Sequence, residues 1–283
     1  MDLFLAILPA IFWGSIVLLN VKIGGGAYSQ TLGTTIGALL FSTIVYIFAQ
    51  PQLSITIFIV GVISGMFWAF GQSNQFKSIE YIGVSKTMPI STGLQIVTTT
   101  LFGVLIFHEW TNLTTILYGV VAIILILCGI IFTSYDNNRS KDENTIFKKG
   151  VFTLLFSTIG YLGYAVIARF FGVDGWSALF PQAIGMFIGG VIITYKYKPY
   201  NKYAIYNIFP GLFWAAGNMF LFISQPKVGV AISFSLSQTG VVISTLGGIF
   251  LLKEKKTKRQ LVFIGIGIVF IIIGVVCLGL AKK

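Results

Sequence analysis

Residues 65–84 read GMFWAFGQSNQFKSIEYIGV, and residues 211–230 read GLFWAAGNMFLFISQPKVGV. Aligned residue for residue, the two stretches share two glycines, an FWA triplet and a final Gly-Val pair, and the amide of Gln72 is matched by that of Asn218. Shorter matches lie on either side and keep the same order: Ile36-Gly37 with Ile184-Gly185, Gly103 with Gly248, and Glu109 with Glu254. Ordered matches of this kind predict an internal repeat.

The composition places this repeat in a membrane. Hydrophobic residues make up 56% of the 283 residues and charged residues 10%, whereas soluble domains have about 45–50% and about 25%. The mean hydropathy is +0.91. So few charges cannot cover the surface of a soluble protein, so the composition excludes a soluble enzyme, a disordered chain and a disulfide scaffold. It predicts an integral membrane protein.

The number of apolar runs gives the architecture. A spanning helix needs about 20 mostly apolar residues, and ten such runs can be drawn. They cover roughly 2–21, 30–49, 54–76, 84–107, 112–133, 149–171, 177–196, 204–224, 228–251 and 259–280. A charged linker, 135–148, separates a first repeat (1–134) from a second (149–283). Five spans are an odd number, so we expect an all-α polytopic membrane protein whose ten transmembrane helices form a 5+5 inverted repeat, as in many secondary transporters.

The basic residues predict the orientation. Fifteen of the 19 lysines and arginines lie in connections that follow odd-numbered spans or at the adjoining span ends. The positive-inside rule makes this side cytoplasmic and places both termini outside. The net charge of +11 is therefore explained by membrane topology, and the partners we expect are a lipid bilayer and a small solute, with no nucleic acid.

Two spans combine a tryptophan with an amide on one helical face. The third span carries Trp68 and Gln72, and the eighth carries Trp214 and Asn218, each pair four residues apart. An amide in hydrocarbon is costly, so these faces should point into the protein or a wet cavity. An aromatic platform beside amides suits a sugar, whereas the alternative is an interhelical polar clamp with a packed tryptophan. Two further amides are expected at the membrane ends: Gln75 and Gln225.

Other spans add polar groups at similar depth. Pro89 in the fourth span frees a backbone carbonyl and is a candidate hinge, and hydroxyls and amides follow it along the helix. The seventh span is interrupted by Pro181-Gln182, and the ninth is rich in serine. The predicted substrate-binding residues are Trp68, Gln72, Ser91, Gln95, Gln182, Trp214, Asn218 and Gln238, with Trp13 as a weaker candidate.

The acidic residues limit the expected energy coupling. All eight carboxylates fall in predicted connections or at span ends, although proton-coupled carriers commonly use such a group inside the membrane. The candidates for a proton relay are therefore Glu80, His108 and Glu109. One histidine and two isolated cysteines do not make a metal site, and the sequence has no HExxH, P-loop or GxSxG motif. We expect no metal, no cofactor and no enzyme.

Several long motifs together resemble a known family. LPAIFWGSIVLLN (8–20), FWAFGQ (67–72), GVSKTMPISTGLQ (83–95), SQPKVGVAISFSLSQ (224–238) and TLGGIFLLKEKK (245–256) are similar to the glucose/ribose uptake permeases of Gram-positive bacteria, a branch of the drug/metabolite transporter superfamily. The resemblance runs from Met1 to the last span. It implies a ten-helix carrier of the bacterial plasma membrane that imports glucose independently of phosphorylation, with proton coupling as an open expectation. The alternatives are a ribose carrier, a metabolite or drug exporter on the same scaffold, and a membrane-embedded enzyme or sensor.

Overall fold

The computed structural model describes residues 2–136 and 140–281, without the side chains of residues 230, 231 and 281. Arg139, Lys282, Lys283 and Met1, which entered the orientation argument, lie outside the described residues. In the described part, twelve α-helices provide ten spans that are long and apolar enough to cross a membrane. The predicted all-α polytopic membrane fold is therefore confirmed.

The helices follow one another with short connections. Their bounds are α1 Asp2–Ile23, α2 Gly26–Ala49, α3 Ile55–Ile82, α4 Val84–Phe107, α5 Leu113–Thr133, α6 Lys141–Phe170, α7 Gly175–Thr194, α8 Lys202–Tyr206, α9 Ile208–Val228, α10 Val230–Gln238, α11 Gly240–Phe250 and α12 Lys258–Ala281. The eighth span joins α8 and α9, and the ninth consists mainly of α10 and α11.

Side-chain caps fix several of these helix starts. Asn112 accepts a hydrogen bond from the Thr115 amide at 2.8 Å, and Asp174 accepts one from the Ser177 amide at 3.0 Å. Ser140 and Glu143 form a reciprocal capping box, the arrangement that satisfies two unpaired amides at once. Because of this cap, α6 begins at Lys141, inside the segment predicted as a linker.

The ninth span differs from the single helix predicted over 228–251. It is broken at Thr239, where the hydrogen bonds tighten to the i→i−3 type: the Thr239 amide donates to the Leu236 carbonyl at 3.1 Å and the Val242 amide to the Thr239 carbonyl at 2.9 Å. The following Gly240 packs directly on α1, where a Cβ on Gly14 would lie 2.6 Å from the Gly240 carbonyl oxygen. The bend brings the two helices close together, a requirement that depends on the neighbouring helix and is not visible in the sequence of the span itself.

The most extensive helix–helix interfaces all join the first five spans to the last five. They are α3 with α6 and α7, α9 with α1 and α2, α2 with α7, and α5 with α12. The third span (α3) packs on the sixth (α6) and on the seventh (α7). The span five places after the third is the eighth (α9), and it packs in the same way on the first (α1) and on the second (α2). The packing therefore has the pattern that an exchange of the two halves would produce.

Glycines at matched positions make the same contacts in both parts of the chain. A Cβ on Gly65 of α3 would collide with the Gln182 carbonyl of α7, and a Cβ on Gly211 of α9 would lie 2.9 Å from the Cα atom of Gly37 on α2. Gly185 of α7 is equally close to the Val62 carbonyl. In lipid, apolar side chains gain little by meeting one another, so this backbone-to-backbone packing carries the association of the helices.

Adding a methyl group at one of these contacts should destabilise the fold. We predict that Gly185→Ala lowers the free energy of unfolding by about 1–3 kcal/mol, the usual cost of overpacking. Thermal unfolding in detergent measures the effect. The matched control is Gly265→Ala in α12, since a Cβ there meets nothing within 4 Å. Equal melting temperatures for the two variants would contradict the proposed role of Gly185.

Candidate functional site

A cavity of about 240 Å³ lies between the two sets of spans. This is slightly below the about 300–1,000 Å³ of typical small-molecule pockets, and suits a ligand of monosaccharide size. Its lining comes from α1, α3, α4, α6, α9, α10 and α11, which belong to both the first five and the last five spans. Of the predicted site residues, those that line it are Trp13, Trp68, Gln72, Gln95, Trp214, Asn218 and Gln238.

Four aromatic side chains frame the cavity. The rings of Trp68 and Trp214 meet edge to face with centroids 5.6 Å apart, and Trp68 meets Tyr161 in the same way at 6.3 Å. The Trp13 indole packs against Gly217 of α9 and donates a hydrogen bond to the Trp214 carbonyl at 3.3 Å. The frame therefore joins aromatic residues from both halves of the sequence at one point.

A chain of hydrogen bonds holds the amides on one wall. The Tyr161 hydroxyl donates to Oε1 of Gln72 at 2.7 Å, and Nε2 of Gln72 donates to Oε1 of Gln75 at 3.2 Å. Nε2 of Gln75 then donates to Oγ of Ser91 at 2.7 Å, and Nε2 of Gln95 donates to the same oxygen at 2.9 Å. Gln72 and Gln75 are each 4% exposed, so these mutual bonds offset the cost of burying them.

Three amide oxygens in the cavity lining have no partner among the described residues. They are Oε1 of Gln95, Oδ1 of Asn218 and Oε1 of Gln238, whose nitrogens donate to Ser91, to the Trp214 carbonyl and to Ser237. All three oxygens belong to residues that line the cavity, and none of the three atoms is fully buried. Such oxygens can accept hydrogen bonds from the hydroxyls of a ligand.

Two of the predicted substrate-binding residues lie behind the lining. Ser91 is fully buried and reaches the cavity only through its bonds to Gln75 and Gln95. Gln182 donates to Oγ of Ser64 at 3.1 Å, at the α3–α7 interface. Gln75, expected at a membrane end, lines the cavity instead. That expectation is wrong because α3 extends to Ile82, which places Gln75 well inside the helix.

The candidate relay residues lie away from the cavity. Glu80 accepts a hydrogen bond from the Ala27 amide at the start of α2, at 2.7 Å. His108 is an exposed residue in the left-handed conformation at the end of α4. Glu109 forms an ion pair with Arg169 at the end of α6. The described cavity lining contains no ionisable group other than the phenols of Tyr161 and Tyr164.

Tyr161 is the principal site residue that the sequence analysis missed. It is 8% exposed, it orients Gln72, and it packs against Gly71 on α3. The equivalent contact in the other half is that of Trp13 with Gly217. The aligned glycines Gly71 and Gly217 carried the available signal, because each creates room for an aromatic ring from a helix of the opposite half.

The lining of the cavity is more buried toward one end of the bundle than toward the other. We call the end that carries the α3–α4 turn, the α5–α6 connection and residues 251–257 the basic face, and the other end the opposite face. Toward the basic face the lining is packed, with Val17 only 2% exposed, whereas Phe234 on the other side is 43% exposed.

Ionic and capping contacts hold the basic face together. Lys86 pairs with Asp136 at 2.9 Å, and Lys256 with Glu254 at 3.5 Å. Oε1 of Glu254 also accepts a hydrogen bond from the Val84 amide at 2.6 Å. Burial lowers the pKa of Lys256, and the Glu254 carboxylate opposes this effect. The Glu254 contact ties the end of the ninth span to the start of the fourth, and the Lys86–Asp136 pair ties the fourth span to the α5–α6 connection.

Comparisons with known proteins agree with this architecture. The chain is 68% identical over 286 residues to the probable glucose uptake protein GlcU of Priestia megaterium, and the match covers all of both chains. It is 65% identical over 284 residues to the glucose uptake protein GlcU of Bacillus subtilis strain 168, covering all of this chain and 99% of the relative. One solved crystal structure has the same fold, with a TM-score of 0.62 at 13% identity over 98% of this chain and 95% of that one.

A family model gives the assignment. The model described as sugar transport protein matches residues 4–281, which is nearly the whole chain and includes all ten spans. The match therefore includes the glycine contacts, both tryptophan–amide pairs and the cavity between them. The chain belongs to the family of sugar transport proteins.

Proposed function

We propose that this protein is a carrier that takes up glucose through the bacterial plasma membrane by alternating access, with the central cavity as its binding site. The observation that supports this most is the combination, in one monosaccharide-sized cavity, of aromatic rings with three unpaired amide oxygens. The names of the relatives point to the same solute.

The lining fits the chemistry of a neutral sugar. A pyranose has apolar C–H faces and a rim of hydroxyls, so one part of it packs on aromatic rings while the rim forms hydrogen bonds. Trp68 and Trp214 supply the rings, and Gln95, Asn218 and Gln238 supply acceptors. The cavity offers no charged group to an ionic solute, which favours a sugar over a charged metabolite.

Alternating access is supported by the packing. The helix interfaces keep their pattern when the two halves are exchanged, and the cavity lining is buried toward the basic face while exposed residues border it on the other side. If the two halves exchanged their conformations, the cavity would close toward the opposite face and open toward the basic face. Inverted repeats give a carrier its two access states in this way. Pro89 in α4 is the candidate hinge.

Uptake by the purified protein tests the function directly. Proteoliposomes that contain only this protein should take up labelled glucose. The uptake is measured with and without an inward proton gradient, and with and without unlabelled ribose as a competitor. Accumulation above the outside concentration only with the gradient would establish symport and direct attention to Glu80, His108 and Glu109, whereas equilibration would make the protein a facilitator. Entry of ribose but not glucose would change the substrate, and no sugar entry would contradict the proposal.

Removing the cavity amides should weaken sugar binding. We predict that Gln72→Ala and Asn218→Ala each raise the KM for glucose about tenfold, equivalent to about 1.4 kcal/mol for the hydrogen bonds lost. Initial uptake rates over a range of glucose concentrations measure this. Gln225→Ala is the matched control, since Gln225 lies outside the cavity lining. Normal KM values for both cavity variants would place the binding site elsewhere.

Removing one hydroxyl should have a smaller effect of the same kind. Tyr161→Phe keeps the ring on Gly71 but leaves Oε1 of Gln72 without its donor. We predict a KM for glucose raised about threefold to tenfold, because a single hydrogen bond contributes about 0.5–1.5 kcal/mol, with little change in the maximal rate. A lowered maximal rate at unchanged KM would mean that Tyr161 acts on the conformational change and not on the sugar.

The orientation is testable in intact cells. In the sequence, fifteen of the 19 basic residues follow odd-numbered spans or lie at the adjoining span ends, so we predict that the basic face is cytoplasmic and that both termini are outside. A cysteine added at either terminus should react with a membrane-impermeant reagent in intact cells, after Cys128 and Cys277 are replaced by serine. Protection of both termini would reverse the orientation.

A further inference from the structure

Two turns of the chain have the same backbone geometry at matched positions. The fourth span ends in a turn where His108 has a φ of 51° and the Glu109 amide donates to the Gly103 carbonyl at 3.3 Å. The ninth span ends in a turn where Lys253 has a φ of 56° and the Glu254 amide donates to the Gly248 carbonyl at 3.2 Å. Each turn therefore presents a glutamate in the same way beyond the end of its helix.

The helices that these glutamates could reach also begin alike. Gly83 precedes α4 with a φ of 78° and a ψ of 169°, and Gly229 precedes α10 with a φ of 91° and a ψ of 150°. These values are sparsely populated by residues other than glycine. The fourth and ninth spans are thus matched at both ends, with a glutamate after one end and a glycine before the other.

One glutamate caps the matched helix. Glu254 accepts hydrogen bonds from the Val84 and Ser85 amides at the start of α4, and from the Ser85 hydroxyl. A carboxylate is favoured at this position because the first amides of a helix lack partners and the helix dipole is positive there. The contact joins the two spans at the basic face, the end toward which the cavity lining is buried.

The other glutamate has a different partner. Glu109 pairs with Arg169 of α6, whose guanidinium lies over the Phe107 ring at 4.4 Å from its centroid. A Cβ on Gly83 would meet the Glu254 carboxylate at 2.9 Å, whereas a Cβ on Gly229 would meet no described atom within 4 Å, so the Glu109 carboxylate does not lie against Gly229. The two ends of the bundle therefore differ: the glutamate lies against the glycine of the matched helix at the basic face, and is paired with an arginine at the opposite face.

From this difference we infer that Glu109 and Glu254 are alternating latches of the transport cycle, an inference that rests on the alternating access proposed above. By a latch we mean a glutamate that caps the start of the matched helix only while the cavity is closed at its own end of the bundle. When the cavity closes at the opposite face, the Glu109 carboxylate leaves Arg169 and caps the start of α10, as Glu254 caps α4 in the present structure. The cap of Glu254 on α4 breaks in the same step, and the cavity opens at the basic face.

Arg169 has a defined part in this scheme. Its guanidinium competes with the α10 amides for one carboxylate, so the ion pair favours the state that is open at the opposite face. The caps of Glu254 and Glu109 are alike and replace each other, and the ion pair, whose Arg169 side chain is 47% exposed, adds only a small further bias, so the two states stay close in free energy. A carrier needs such a balance, because each state must be populated during every cycle.

Two cysteine reporters can measure the balance. Ala165→Cys reports the opening at the opposite face, since Ala165 is an exposed residue of the lining, and Val17→Cys reports the buried floor toward the basic face. Each is placed in protein whose Cys128 and Cys277 are replaced by serine, and the full chain is held in lipid nanodiscs so that a charged maleimide reaches both faces. The ratio of the two labelling rates reports the populations of the two states.

We expect opposite shifts from the two partners of the Glu109 ion pair. Arg169→Gln releases Glu109 and should lower the Ala165→Cys to Val17→Cys rate ratio about threefold, which corresponds to about 0.6 kcal/mol for a partly exposed ion pair. Glu254→Ala removes a cap of several hydrogen bonds and should lower the ratio about tenfold, which corresponds to about 1.4 kcal/mol. Glu109→Ala removes the cap and should raise the ratio. The double variant Glu109→Ala/Arg169→Gln should have the same rate ratio as Glu109→Ala. Glu109→Gln and Glu254→Gln keep the shape of the side chain, and each should shift the ratio in the same direction as the corresponding alanine variant, but by less.

The outcomes separate the latch from the function it rests on. If Glu109→Ala and Arg169→Gln shift the ratio in the same direction, Glu109 serves only the ion pair and the latch is refuted, even though Glu254→Ala and glucose uptake behave as expected. If the unsubstituted protein fails to transport sugar in proteoliposomes, the proposed function itself fails. A variant that is merely unfolded raises both labelling rates together and is thereby recognised.

Discussion

The close approach of glycine backbones between the two halves is the constraint on which this structure depends. Gly65 on Gln182, Gly185 on Val62, and Gly211 on Gly37 bring the third and seventh spans, and the second and eighth, to distances that no side chain would allow. Because lipid provides no hydrophobic drive for helices to associate, such packing has to supply it. It also fixes the third and eighth spans, which carry the tryptophan–amide pairs.

The second requirement is that every amide inside the membrane finds a partner. On one wall the partners come from the protein, through Tyr161, Gln72, Gln75 and Ser91. Across the cavity, Asn218 keeps an acceptor that no described residue satisfies. An unpaired polar atom is costly in a low dielectric but tolerable beside a wet cavity, and it becomes useful when a hydroxylated solute enters. The site therefore combines side chains held by their own hydrogen bonds, such as Gln72 and Gln75, with amide oxygens that remain unpaired, as expected for a carrier that must also release its sugar.

Much of this arrangement could be predicted from the sequence. Composition and apolar runs gave the ten spans, and the repeated FWA-Gly motifs identified Trp68, Gln72, Trp214 and Asn218, all of which line the cavity. Tyr161 could not be recognised, because its function depends on a glycine 90 residues earlier in the sequence. The break at Thr239 and the depth of Gln75 were also hidden, since both depend on where neighbouring helices pass and not on local residue type.

The central claim is that the sugar binds between the two halves, against Trp68 and Trp214. The most direct measurement is an experimental structure of the protein in lipid with saturating glucose. We predict one pyranose in the central cavity, in contact with at least one of these rings, with hydroxyls within hydrogen-bond distance of Asn218 and of Gln95 or Gln238. A sugar bound elsewhere, or an empty cavity under conditions in which the same preparation transports glucose, would contradict the account.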